Sequence, residues 1–222
     1  MTELDFFSSA KKRSAAGRLA RLDTVNETMN SDEFNCYGFE YYDNPDSGCG
    51  YGGYSYDGRY AETAQQIINH YQLKPGDSVL EVGCAKGFLL VEFHKLGMNV
   101  CGVEISDYAI KNAHPLIRHC LVRASAADLP LQSNCFDLVM SKEVLPHLTE
   151  ADIERSFAEF KRIAQDSHVF LEIQCAATDT AKALCFKWDP THQTIQTPQW
   201  WRRKLVDALY QGDFHLKEIF SA

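Results

Sequence analysis

Apolar and polar positions along the chain follow two rhythms. Ala64, Ile67, Ile68 and Tyr71 recur at helical spacing, and Pro75-Gly76 closes that segment. Short apolar runs follow near residues 78–83, 99–104, 118–122, 135–141 and 167–174, with a last run over about 214–220. Runs of this length suit buried strands. Between them the spacing turns helical, near 86–96, 106–113, 150–164 and 198–210. Thr149 with Asp152 makes a capping box before Ile153, Phe157, Phe160 and Ala164. Thr197-Pro198 opens the last helix, which turns Trp201, Leu205 and Leu209 inward and stops at Gly212. Strands alternating with helices predict the α/β class: a doubly wound, mainly parallel sheet of six or seven strands with helices on both faces.

The first 58 residues lack this alternation. Residues 1–30 form a basic, Ala-rich segment of helical character in which Lys11, Lys12, Arg13, Arg18 and Arg21 cluster, as on a solvated helix or arm. Over 34–58, Gly and Tyr dominate with no period, which reads as loop. Rings this dense suit a lid that stacks on a ligand or a loop that packs on the domain edge. The expected organisation is an N-terminal arm and Tyr/Gly-rich lid segment over 1–58, then a single domain over 59–222.

Composition narrows the function classes. The chain has 222 residues, 45% of them hydrophobic and 23% charged, ordinary values for one globular α/β domain. A net charge of −8 argues against binding a nucleic-acid backbone. No apolar run reaches the ~18 residues of a membrane span. Eight cysteines stand singly, without a C-x-x-C pair or a signal peptide, so reduced thiols and a cytoplasmic location are expected. His114, His119 and Cys120 lie close in sequence but lack a second ligand pair, and no metal site is expected.

The chemistry concentrates in Glu81-Val82-Gly83-Cys84-Ala85-Lys86-Gly87 and in Glu104, which ends the second apolar run. Glycines at both ends of the loop allow a sharp turn and close backbone approach to a ligand, and a terminal acid can accept from two ribose hydroxyls. The G-x-G-x-x-G spacing of a pyrophosphate site is missing, and a carboxylate at Glu81 suits a cationic group better than a phosphate. The E-x-G-x-x-x-G loop resembles motif I of the class I S-adenosylmethionine-dependent methyltransferases. Ala127-Asp128-Leu129-Pro130, Phe136-Asp137 and Ser141 through Leu148 extend the resemblance in order, over about residues 59–175. It implies a Rossmann-like fold and S-adenosylmethionine as cofactor. It further implies that Gly83, Cys84, Ala85 and Gly87 approach the methionine part, that Glu81 holds the amino group directly or through water, and that Glu104 takes the ribose hydroxyls. Ile105 packs on adenine, Ala127 and Asp128 meet its amino group, and Ser141 lies near the sulfonium. Tyr56 and Arg59 are assigned to the cofactor side. Asp137 is read as a strand-start hydrogen-bonding residue, and Lys86 as opening a helix with its charge in solvent.

The acceptor is less legible. A hydroxyl acceptor benefits from a base, and His147, after the fourth strand, is the leading candidate, with Glu143 second. Residues 176–200 carry Trp188, Asp189, His192, Trp200 and Trp201, a mix of rings and polar groups that suits a small polyhydroxylated acceptor, although Trp201 itself reads as packing. The expected function is methyl transfer to a small polar metabolite. The alternatives are a cofactor-binding regulatory module without turnover and a methyltransferase acting on a protein. Family members usually add an antiparallel seventh strand. If it is missing here, an exposed sheet edge is left that a homodimer would cover.

Overall fold

The computed structural model describes residues 1–10, 17, 19–20, 32–47, 50–164 and 168–220. The basic cluster from Lys11 to Arg21 lies outside them. Six strands form one sheet: β1 (Ser78–Val82), β2 (Asn99–Glu104), β3 (Leu121–Arg123), β4 (Leu138–Lys142), β5 (Val169–Cys175) and β6 (Asp213–Glu218). Their order is β3-β2-β1-β4-β5-β6 and every pairing is parallel. This is the Rossmann-like, doubly wound arrangement. The order reverses between β1 and β4, so the connections leaving their carboxyl ends diverge and open a crevice, the usual ligand site of such sheets.

Strand alternation divides the core. Leu80, Val82, Val139, Leu171 and Ile173 face Ile153, Phe157 and Phe160 of the helix Glu150–Ile163 and Trp201 and Leu205 of the helix Pro198–Asp207. Val79, Leu138, Met140 and Phe170 face the other way, toward Ile67 and Ile68 of Ala61–Tyr71, Leu89 and Phe93 of Phe88–Lys95, and Phe6 and Phe7 near the amino terminus. Trp201 is fully buried, so its role is packing.

Three segments depart from the sequence pattern. Residues 118–120 form a 3-10 turn, and the third strand begins only at Leu121. A helix over Asp179–Trp188, capped by the Thr178 hydroxyl, occupies part of the stretch read as connection. The Tyr/Gly segment contains two single-turn helices, Asp32–Asn35 and Phe39–Tyr42. Among the described residues the sheet has no antiparallel strand. The outer edge of β6 is instead partly covered by residues 2–4. Leu4 N–H donates to the Phe214 carbonyl at 2.8 Å, and Phe214 N–H donates to Thr2 at 3.0 Å.

Candidate functional site

The loop after β1 is held by its neighbours. At Gly83 (φ 76°) an added Cβ would stand 2.0 Å from Val144 Cγ2, and at Gly87 (φ 72°) 2.2 Å from Ile117 Cδ1. Both positions therefore require glycine for conformation and for space. Between them Ala85 also adopts a positive φ of 50°, and its N–H donates to Glu104 Oε2 at 2.8 Å. Glu104 Oε1 accepts from the N–H groups of Ile105 and Ser106 at 2.8 and 2.9 Å. Burial raises the Glu104 pKa, and these three backbone donors oppose the rise. The loop and the acid thus lock together, with Glu104 on the wall of a cavity of about 650 Å³.

Lys86 does not enter solvent. Its ammonium is buried and meets both Asp43 oxygens at 2.6 Å and the Tyr54 carbonyl at 2.9 Å. Asp43 also accepts from Tyr108 Oη at 2.7 Å. This ties the glycine loop to the Tyr/Gly segment, whose Tyr41, Tyr42 and Tyr54 pack on one another and on Phe88. Tyr37, Tyr41, Tyr42, Tyr51 and Tyr54 also line the cavity, so the segment both packs on the domain and covers the site.

The other expected cofactor residues divide. Gly83, Ala85, Glu104, Ile105 and Arg59 line the cavity, and Arg59 pairs with Asp57 at 2.8 Å. Cys84 and Gly87 shape the loop without lining it. Asp128 is exposed, and neither it nor Ala127 reaches the wall, where Ala124, Ser125 and Ala126 stand instead. Ser141 spends its hydroxyl on the Val82 carbonyl at 3.1 Å, inside the sheet. Tyr56 faces away and bonds Glu92 and Lys95. Asp137 accepts from the Ser78 N–H and hydroxyl at 2.7 Å, as a strand-start residue does. Glu81 lies off the wall but within electrostatic reach of Glu104 and Lys142, which are on it. Its buried Oε2 has no hydrogen-bond partner, and burial pushes its pKa up to about 8.

Tyr37, His147, Trp188, Asp189 and His192 also line the cavity. Asp189 is buried and accepts from the Thr191 hydroxyl at 2.5 Å and from Tyr41 Oη at 2.9 Å. His147 Nδ1 lies 2.9 Å from Thr191 Oγ1, and its ring sits 4.6 Å from that of His192. Enclosure pushes the His147 pKa down to about 4, so its imidazole is neutral at physiological pH. Glu143 is committed elsewhere. Lys142 and Lys217 donate to it at 2.5 and 2.7 Å and hold it well below the usual carboxylate range, which removes it as a base. Sequence reasoning gave Asp189 and His192 no partners. Their meeting with His147 depends on contacts across about 45 residues.

Such a sheet, with an acid-lined cavity at its switch point, defines an α/β protein that binds a nucleoside-containing cofactor. Residues 80–171 match the family model of a methyltransferase domain. The chain is 29% identical over 123 residues to phosphoethanolamine N-methyltransferase of Triticum aestivum, covering 51% of this chain and 24% of that protein. It is 26% identical over 128 residues to 24-methylenesterol C-methyltransferase 2 of Arabidopsis thaliana, covering 54% and 35%. A SAM-dependent methyltransferase from Archaeoglobus fulgidus shares the fold, with TM-score 0.54 and 21% identity over 67% of this chain and 68% of that one. Residues 80–171 thus match a methyltransferase domain, on the fold of a SAM-dependent methyltransferase. The match spans less than half the length of these two curated relatives.

The residues fit that cofactor. Glu81, behind the wall with an unpartnered Oε2, would meet a ligand ammonium through water, and Glu104 keeps unshared pairs for hydroxyls. The Lys86 ammonium is consumed by Asp43, so the loop offers a pyrophosphate no free cation. No helix among the described residues is long and apolar enough to cross a membrane.

Proposed function

We propose that the protein transfers a methyl group from S-adenosylmethionine to a small polar acceptor, best matched by a polyhydroxylated one. The observation that carries this reading is one cavity lined by two chemically distinct groups: the glycine loop with Glu104, and the set of Tyr37, His147, Trp188, Asp189 and His192. When bound, S-adenosylmethionine supplies an electrophilic methyl on its sulfonium. The chain's residues supply orientation. Glu104 and the loop hold the donor end, and holding a nucleophile near attack distance can lower the barrier by ~7–11 kcal/mol. Trp188 and Tyr37 offer ring faces to C–H groups, while His147, Asp189 and His192 offer polar atoms to hydroxyls. With Nδ1 engaged by Thr191, His147 Nε2 is the atom that would meet a hydroxyl acceptor, as a base or through a bound cation. The wheat and Arabidopsis relatives are named for a phosphorylated amine and a sterol, which supports a small-molecule acceptor.

Calorimetry with S-adenosylhomocysteine should show binding that Glu104→Ala weakens strongly. No binding at millimolar ligand would sink the proposal. A labelled-methyl screen of metabolite fractions then identifies the acceptor. Binding without transfer would favour a regulatory module, and label on polypeptide a protein acceptor.

A further inference from the structure

We propose that His147, Asp189 and His192 form a binding site for a first-row divalent cation on the wall of the cavity, with a hydroxyl oxygen of the acceptor as a further ligand. One ligand atom from each of the three residues lies within 4.8 Å of the others. Bonds of 2.0–2.2 Å to a common ion would draw them to about 3 Å apart, a small closure.

The hydrogen bonds leave the right atoms unused. His192 Nδ1 lies 3.2 Å from the Cys185 carbonyl, which only accepts, so Nδ1 carries the proton and Nε2 keeps its lone pair. The single proton of the Thr191 hydroxyl goes to Asp189, so Thr191 accepts from His147 Nδ1–H, and His147 Nε2 keeps its lone pair too. Metal-binding histidines are oriented this way, with the second nitrogen donating to a carbonyl or hydroxyl. Tyr41 and Thr191 brace Asp189 in the same manner.

Charge points in the same direction. Asp189 is 5% exposed, and among the described residues no Lys or Arg pairs with it. Buried carboxylates are ordinarily paired with a cation or a metal. The other cluster of this type, Asp5, Glu172 and His215, differs because Lys142 and Lys217 already lie within 3.5 and 3.4 Å of Glu172. Two imidazoles and one carboxylate favour manganese, iron, cobalt or zinc over magnesium or calcium. All three residues line the cavity, which leaves the remaining coordination positions open to a ligand.

For its consequence, though not for the site itself, the inference rests on the methyl-transfer reading. A hydroxyl bound to the cation loses its proton to water at lower cost. Its oxygen then forms the bond to the methyl carbon as the carbon–sulfur bond breaks, with the electron pair staying on sulfur. His147 serves this step as a ligand.

The test uses the full chain, stripped with a chelator and titrated with ZnCl2 by calorimetry, and with CoCl2 by visible absorption. The expected result is one ion per chain and cobalt bands of a low-coordinate site. His192→Gln and Asp189→Asn should each weaken zinc by about a hundredfold or more. Unchanged thermal melts and S-adenosylhomocysteine binding show that the variants fold. No stoichiometric uptake by the wild type, or undiminished uptake in both variants, overturns the site. Zinc uptake in a protein that fails to bind S-adenosylhomocysteine keeps the site and removes the methyl-transfer reading.

Discussion

The Lys86 ammonium and the Asp43 carboxylate form a two-oxygen ion pair, 2.6 Å on each side, that joins the glycine loop to the tyrosine-rich segment. The Lys86 side chain is 7% exposed and that of Asp43 23%. Asp43→Asn leaves an enclosed ammonium short of its counter-ion. Because Asp43 is partly solvated, the loss should be ~2–3 kcal/mol, below the 3–5 of a fully buried pair. Chemical denaturation measures it. Hydrogen exchange should show residues 37–54 opening before the sheet, and equal protection in both would contradict the pinning role.

Glu81 sets a pH dependence. Its folded-state pKa of about 8 lies above its ordinary 4.5. The folded chain therefore holds a proton that the unfolded chain releases between those values. Stability should fall as pH rises from ~5 to ~8 and then level off. Glu81→Gln should flatten that slope in melts across the same range. In wild type at neutral pH, binding a ligand ammonium should expel the proton, seen as buffer-dependent calorimetric heats with S-adenosylhomocysteine.

Gly83→Ala should destabilise the protein by more than the ~1–2 kcal/mol that a left-handed conformation costs an L residue. The new methyl meets Val144 at 2.0 Å in a left-handed conformation. The double variant with Val144→Ala should recover the steric part and leave the conformational part. No recovery would place the strain in the backbone alone.

His147→Ala should lower turnover while S-adenosylhomocysteine affinity stays within about twofold, because the imidazole touches Thr191, Tyr37 and His192 and makes no hydrogen bond to Glu104 or the glycine loop. Unchanged turnover with an identified acceptor would return His147 to packing against His192.

Deleting residues 2–7 removes two buried phenylalanines and the cover of β6. A loss of roughly 3–6 kcal/mol follows from burial values of 1.5–3 kcal/mol for each large side chain. Light scattering should show self-association through the bared edge, and a monomer as stable as wild type would contradict the role.

Local pattern carried most of the frame. Each expected strand exists within a few residues, because buried parallel strands are continuous apolar runs that need no knowledge of their partners. The helix Asp179–Trp188 was legible in the i, i+4, i+7 spacing of Ala181, Cys185 and Trp188, but the rings and polar groups of the stretch drew the reading toward a ligand instead. Lys86 was misread because its counter-ion lies 43 positions away in a segment with no period. The grouping of His147 with Asp189 and His192 likewise depends on packing between distant segments. Ser141 and Asp128 show the reverse case. The family pattern assigns them to the ligand, while their own hydrogen bonding and exposure keep them off the cavity wall.

The pairing of residues 2–4 with β6 also carries a consequence for how the chain comes to its final form. Thr2 and its partner Asp213 are 211 positions apart. At ribosomal speeds of 5–20 residues per second, residues 2–4 wait roughly 10–40 s for β6. During that interval Phe6 and Phe7 have no β6 to complete their cover, and for most of it no Phe170 to pack on. Two side chains that the folded protein buries are then exposed apolar surface, the condition under which a growing chain aggregates.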